Sequence, residues 1–185
     1  TFTVNIEKYI KLKDLDISNS IVTSMSLSNA SLASLNITNS SIEIINLVNQ
    51  PFLDSIDFSG CKRLKSVTID SCEKIIELNL SNLGDLHTIN ITNCPNLVAI
   101  TCTNNVNLTT FNVSNCNKVK TINISKCTNS GLDIYIVGAP NIEELNISGT
   151  NTTKPIQVAA ELPKLTKLIM NNTNINSIQY GNKAI

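Results

Sequence analysis

A hydrophobic pattern recurs at intervals of about 11 residues along the chain, and this periodicity constrains the fold more than any other feature. Six segments share the pattern L-x-x-L-x-L-x-N-C, in which Ile, Val, Phe or Cys can replace Leu. They start at residues 64, 75, 86, 97, 108 and 119. Similar segments start upstream at residues 12, 22, 32, 42 and 53. Repetition over most of a chain indicates a repeat protein.

Within each segment the fourth and sixth positions are apolar, whereas the fifth and seventh are polar. This period of two predicts a half-buried β-strand. One unit is too short to form a complete coil around a core, so we expect two units, about 22 residues, in each coil. Each coil then has two short parallel strands on opposite walls. Residues one coil apart, such as Leu64 and Leu86, should be stacked neighbours.

Asparagine occupies the eighth position of most units, where the chain must turn. Its side chain tolerates left-handed backbone and can hydrogen-bond the peptide groups of a tight corner. Stacked amides can also bond from coil to coil. We interpret these residues as structural corners: Asn19, Asn29, Asn39, Asn49, Asn82, Asn93, Asn104 and Asn115.

These units resemble leucine-rich repeats, whose strand signature is L-x-x-L-x-L-x-x-N/C. They are most similar to the short tandem arrays of surface and secreted proteins from Bacteroides-type bacteria. The resemblance implies a mainly β chain in the leucine-rich-repeat α/β superhelix class, wound as a right-handed solenoid. It implies a scaffold and leaves the activity open. Most leucine-rich repeats have a helical or irregular second side, whereas both halves here have strand patterns, so we expect weaker curvature than in a horseshoe.

We expect a single solenoid domain over residues 1–185. Residues 1–11 would form an incomplete N-terminal repeat, residues 12–150 the regular repeats, and residues 151–185 the C-terminal repeats.

An insertion interrupts the C-terminal repeats and predicts one short helix near residues 155–162. Thr152 or Thr153 could cap its N-terminus, and Pro155 suits its first turn. Pro163 would follow its end, because the residue before a proline disfavours the α conformation.

Charge and motifs exclude several classes of function. Lys plus Arg and Asp plus Glu number 14 each, so the chain lacks the basic field expected for nucleic-acid binding. No apolar run approaches the length of a membrane span, so we expect no membrane insertion of this segment. No phosphate loop, nucleophile motif or calcium-binding repeat is present, and we expect neither a cofactor nor catalysis. His87 is the only histidine and falls at a position predicted to be exposed.

Six cysteines could indicate disulfides or a metal site. The chain has no C-x-x-C pair and a single histidine, which argues against a zinc site. Stacked cysteines would have parallel Cβ vectors, which is poor geometry for a disulfide. We therefore expect buried free thiols. Cys102 falls in a core position, Cys72, Cys94 and Cys116 on one edge of the coil, and Cys61 and Cys127 on the other.

The predicted function is a non-enzymatic, surface-exposed binding module that recognises a protein or a glycan through a polar sheet face. The candidate binding face consists of fifth-position residues on one wall: Asp16, Asn36, Asp57, Asn79, Thr101, Asn123, Asn146 and Ile169. The apolar residues Tyr135, Val137 and Ile169, at positions that are otherwise polar, favour recognition, although packing against the predicted helix would also explain them.

Two alternatives remain open. One is a rigid structural spacer of a cell-surface protein. The other is a polysaccharide-active β-helix enzyme, which would have to use Asp14, Asp16 and Asp57.

Localisation is inferred from the sequons within strands. The motif N-x-S/T recurs there at Asn36, Asn90, Asn112, Asn123 and Asn146. Glycosylation in a eukaryotic secretory pathway would coat the sheet faces. We therefore expect a bacterial extracellular or cell-envelope location, with the cytoplasm as the alternative because the cysteines look unpaired.

Overall fold

The computed structural model describes residues 2–6, 8–28, 31–158, 162–175, 177–180 and 183–184. The protein is mainly β, and its parallel strands stack in a solenoid of about 8 turns. Strands β6 (Ser66–Asp70) and β8 (Thr88–Thr92) pair in parallel with Val67 opposite Ile89. Since these strands begin two residues after Leu64 and Leu86, the predicted stacking of coils 22 residues apart is confirmed.

The first wall is a continuous sheet of ten strands. Nine of them are parallel, and the last pairs antiparallel with its neighbour. In spatial order they are β1 (Thr3–Asn5), β3 (Ser24–Ser28), β5 (Ile44–Val48), β6, β8, β10 (Thr110–Ser114), β12 (Asp133–Val137), β14 (Ile156–Val158), β16 (Ile178–Tyr180) and β17 (Lys183–Ala184).

The second wall consists of three-residue strands in two separate sheets. The two-stranded sheet contains β2 (Asp14–Asp16) and β4 (Ser34–Asn36). The five-stranded sheet contains β7 (Glu77–Asn79), β9 (Ala99–Thr101), β11 (Thr121–Asn123), β13 (Glu144–Asn146) and β15 (Lys167–Ile169). Between the two sheets, Asp57 forms an isolated parallel bridge to Asn36. This wall is therefore interrupted where the coils of Asp57 and Asn79 meet.

The core is a stack of aliphatic side chains between the two walls. Strands of the first wall alternate buried and partly exposed residues, as in β8, where Ile89 and Ile91 are fully buried. This alternation removes one apolar face of each strand from water, which is the main driving force for stacking the coils. Phe58 and Phe111 are the aromatic members of the core.

The predicted asparagine corners are confirmed wherever the structure describes them. Asn19, Asn39, Asn49, Asn82, Asn93, Asn104 and Asn115 have φ between 52° and 61°. Asn29 lies outside the described residues. Two pairs of corners are also linked from coil to coil, since Asn104 Nδ2 donates to Asn82 Oδ1 (2.9 Å) and Asn115 Nδ2 donates to Asn93 Oδ1 (3.1 Å).

The helix predicted near residues 155–162 is wrong. Residues 156–158 form β14, which pairs with β12 and β16. Ile156 and Val158 are buried, whereas Gln157 lies between them on the outer face and donates to Gln179 Oε1 (2.7 Å). Two neighbouring strands satisfy the backbone of this segment, and this tertiary pairing outweighs the local helix signals. Residues 159–161 are outside the described part of the chain.

The described residues contain no helix. Accordingly, this part of the chain has no helix of the length and apolar character required to cross a membrane.

Candidate functional site

The predicted binding face forms one row on the second wall, which we call the polar row. Its eight members lie opposite one another in successive coils, except where the wall is interrupted. In order, they are Asp16, Asn36, Asp57, Asn79, Thr101, Asn123, Asn146 and Ile169. Paired members repeat at the strand spacing of about 4.8 Å.

Six carboxylate or amide side chains of the polar row also stabilise their own corners. Each accepts a hydrogen bond from the backbone N–H two residues later, which is an Asx turn. The acceptors and their donors are Asp16 with Ser18 (2.8 Å), Asn36 with Thr38 (3.2 Å), Asp57 with Ser59 (2.8 Å), Asn79 with Ser81 (3.1 Å), Asn123 with Ser125 (3.1 Å) and Asn146 with Ser148 (3.0 Å). The sequence interpretation missed this role, although the recurring N-x-S/T spacing is its signal.

Each Asx turn engages the Oδ1 atom of the asparagine and leaves its Nδ2 group available to a ligand. Within the described residues, the Nδ2 groups of Asn79, Asn123 and Asn146 make no hydrogen bond. Each of these amides therefore has two donors that a ligand could use, in a rotamer that is already held by the backbone.

The N-terminal end of the polar row is negatively charged. Hydrogen bonds from the hydroxyl and backbone N–H of Ser18 lower the pKa of Asp16. Ser59 lowers the pKa of Asp57 in the same way. Both carboxylates are consequently ionised at neutral pH, whereas the rest of the row is uncharged. Asn36 separates the two carboxylates, and its Nδ2 donates to Asp16 Oδ2 (3.2 Å).

The apolar residues that favoured recognition do not form one surface. Tyr135 and Val137 lie on β12 of the first wall and are 40% and 37% exposed. Ile169 lies on β15 of the opposite wall. Packing against a helix does not explain them either, because the segment beside Tyr135 is β14, with Gln157 as its partner in the ladder.

All six cysteines are buried free thiols, as predicted. Cys72, Cys94 and Cys116 each follow a paired strand of the first wall by two residues, which confirms their common edge. Burial raises the pKa of Cys72 to about 11. The described residues contain no group of three or more His, Cys, Asp or Glu side chains that could hold a metal ion.

Some ninth-position residues have a second role that sequence reasoning missed. The Sγ atoms of Cys61 and Cys127 donate to sixth-position carbonyls of the preceding coil, at Ile37 O (3.1 Å) and Cys102 O (3.2 Å). Asn105 is the ninth-position residue one coil before Cys127, and its Nδ2 donates to the sixth-position carbonyl Leu80 O (2.7 Å). These side chains thus hydrogen-bond one coil to the preceding coil inside the core. The signal was a polar residue at a position that often holds Cys.

A cleft of about 390 Å³ opens at the interruption of the second wall. One side is formed by residues 56–62, the first lip, and the other by Asn79 and residues 81–83, the second lip. We call this cleft the notch. It divides the polar row between Asp57 and Asn79, which the repeat pattern predicts as direct neighbours. A shallower depression of about 530 Å³ lies beside it, between residues 33–38 and 54–57.

No protein-family model, curated protein or solved structure matches the chain.

Proposed function

We propose that the chain is a non-enzymatic binding module that recognises a protein or a glycan through the polar row. The observation behind this proposal is the alignment of Asn79, Asn123 and Asn146 in one row, each held by an Asx turn. Their side-chain oxygens are engaged by the backbone, and their Nδ2 donors are unpaired within the described residues.

Pre-organised donors at a regular spacing suit a ligand with repeated acceptors. Glycan hydroxyls and peptide carbonyls both provide such acceptors. Because the Asx turns already restrict the amide rotamers, less side-chain entropy is lost on binding. The absence of net charge on this part of the row favours an uncharged region of the ligand.

The alternative proposal is a rigid spacer without a dedicated partner. It is favoured by the same Asx turns, since a corner-forming role is sufficient reason for Asn, Asp, Ser and Thr at these positions. Under this alternative the unpaired amide donors contact only water.

We further propose that the solenoid is right-handed and of the leucine-rich-repeat class. The strand segments with the pattern L-x-x-L-x-L and the left-handed asparagine corners support this class. A bacterial extracellular or cell-envelope location is proposed on the basis of the strand sequons, such as the one at Asn123.

Substitution along the row, compared with the opposite wall, tests the binding proposal. The wild-type protein would be screened against arrays of bacterial and host glycans and of immobilised proteins. The double variant Asn123→Ala and Asn146→Ala should lose any specific partner. The control is Asn90→Ala and Asn112→Ala on the first wall, where the two amides bond to each other (2.6 Å). Equal retention of partners by both variants would contradict recognition through the polar row.

A further inference from the structure

The notch lacks the backbone hydrogen bonds found at the other joints of the second wall. At the isolated bridge between Asn36 and Asp57, Asn39 N–H donates to Ser59 O (2.9 Å). At each of the five joints between paired strands, two backbone N–H groups after the strand donate to carbonyls of the following coil. The donor residues are Ile17 and Asn19, Leu80 and Asn82, Cys102 and Asn104, Ile124 and Lys126, and Ile147 and Gly149. Phe58 and Gly60 occupy the equivalent positions on the first lip, and their N–H groups make no hydrogen bond to the second lip, all of which is described.

Two side chains distinguish this open joint from the next one along the chain. Phe58 is the bulkiest residue in a sixth-position row that otherwise contains Ile, Leu, Cys and Met, and it is only 2% exposed. Leu83 occupies the ninth position of the next coil, where it has no polar group to donate to the preceding coil. Its counterparts Cys61 and Asn105 both donate such a bond. An aromatic ring in the core row and a ninth-position residue without a donor therefore coincide at the open joint.

The opposite wall remains closed at the same two coils. Strands β5 and β6 pair along five residues, from Ile44 with Ser66 to Val48 with Asp70. The coils are thus joined on one side and apart on the other. The notch is a discontinuity of the second wall alone, next to the joint that the isolated Asn36–Asp57 bridge holds.

We propose that the notch binds an extended polypeptide strand, inserted between the two lips. The first lip presents the N–H groups of Phe58 and Gly60, and the second lip presents the carbonyls of Asn79 and Ser81. The two edges of a β-strand offer carbonyls and N–H groups that repeat every second residue, about 6.6 Å. An inserted strand could therefore bond to both lips and complete the ladder of the second wall.

The chemistry of the lips favours a peptide over other ligands. Addition of a strand to an exposed edge uses main-chain hydrogen bonds for affinity and tolerates different side chains. The notch volume of about 390 Å³ falls in the usual range of ligand clefts. This site uses backbone groups, whereas the polar row uses side-chain amides, so the inference does not depend on the proposed function.

Amide hydrogen exchange on the full chain provides the first test. The N–H groups of Phe58 and Gly60 should exchange at least about 100-fold faster than those of Leu80 and Asn82, which are bonded in the equivalent positions. The probe is an acetylated and amidated heptapeptide with the sequence of residues 76–82. It should slow exchange at Phe58 and Gly60 in a saturable manner. Equal protection of the four amides without peptide would overturn the proposal.

Backbone N-methylation of the probe tests insertion without altering the protein. Two peptides, each methylated at alternate nitrogens but in opposite phase, carry methyl groups on one edge or the other. The phase that faces the second lip loses its donors to the carbonyls of Asn79 and Ser81, so binding should weaken by about fivefold for each donor lost. The phase that faces the first lip should also weaken binding, because its methyl groups hold the peptide carbonyls away from the N–H groups of Phe58 and Gly60. Weakening in only one phase would place the peptide on a single lip and overturn insertion, and weakening in neither would overturn backbone recognition.

A closed variant completes the test. The double variant Phe58→Leu and Leu83→Asn gives this joint the residue types of the next joint, between the coils of Asn79 and Thr101. There Leu80 occupies the sixth position and Asn105 the ninth. This variant should gain protection at Phe58 and Gly60 and lose peptide binding, while the protection of β8 shows that it is folded. The double variant Asn123→Ala and Asn146→Ala should bind the peptide as the wild type does, which separates the notch from the polar row. Undiminished peptide binding by a closed, folded variant would overturn the proposal.

Discussion

Asn105 is a buried asparagine whose removal should destabilise the solenoid strongly. Its side chain is inaccessible to solvent and makes three hydrogen bonds. Nδ2 donates to Leu80 O (2.7 Å) and Cys102 Sγ (2.8 Å), and Oδ1 accepts from Leu83 N–H (2.8 Å). The amide thus satisfies two buried backbone groups on the neighbouring coil.

The magnitude of the loss follows from those two backbone groups. In Asn105→Ala, Leu80 C=O and Leu83 N–H lose their partner in an environment that excludes water. Each unsatisfied buried group costs about 1–3 kcal/mol, so we expect the free energy of unfolding to fall by about 2–6 kcal/mol. That is a large part of the 5–15 kcal/mol typical of a folded domain.

Asn107→Ala is the matched control for this prediction. Its Nδ2 also donates to a backbone carbonyl of the preceding coil, Gly84 O (2.7 Å), but the side chain is exposed. Water can replace the lost bond, so we expect a change of about 0.5 kcal/mol. Urea denaturation monitored by circular dichroism gives both values. If Asn105→Ala and Asn107→Ala differ by less than about 0.5 kcal/mol, the proposed role of buried ninth-position donors is wrong.

Three further predictions concern corners and pH. Asn115 has a φ of 55°, a left-handed conformation that is costly for alanine and not for glycine. Asn115→Ala should therefore lower the free energy of unfolding by about 1–2 kcal/mol, whereas Asn115→Gly should have little effect, as measured by urea denaturation. A hydrogen bond from the Thr92 hydroxyl lowers the pKa of Asp70 below 3.8, so its ionised form stabilises the fold above that pH. Stability should therefore fall as the pH drops below about 4, and less steeply in Asp70→Asn; an unchanged slope between pH 4 and pH 2.5 would contradict this. Burial raises the pKa of Cys72 from 9.0 to about 11, so the unfolded thiol ionises first and stability should decline as the pH rises above 9. In Cys72→Ala this alkaline decline should be smaller by about 2–3 kcal/mol at pH 11, measured by urea denaturation.

Local patterns in the sequence were sufficient to predict the coil, the stacking of units and the left-handed corners. Leu64 and Leu86 recur at one coil length, and apolar residues on either side of each polar fifth position define an inward face. Asn104 and Asn115 mark corners because few residues adopt positive φ easily. Buried thiols followed from the ninth-position pattern. Each of these features depends on a residue's own backbone preference or on its immediate neighbours.

The features that sequence reasoning missed depend on residues about one coil apart. Ile156 and Val158 form a strand because β12 and β16 offer ladder partners, which outweighs nearby helix signals. Tyr135 and Ile169 look alike in the repeat, but the fold places them on opposite walls.

The notch and the buried amide likewise required the tertiary structure. Phe58 and Leu83 both satisfy the apolar pattern of the repeat, so neither signals an open joint. Their effect appears only when successive coils are stacked, because the joint closes through hydrogen bonds between backbones 22 residues apart and through a side-chain donor such as Asn105. The repeat therefore determined which residues face the core, whereas the packing of each coil on the next decided where the wall is closed and where it is open.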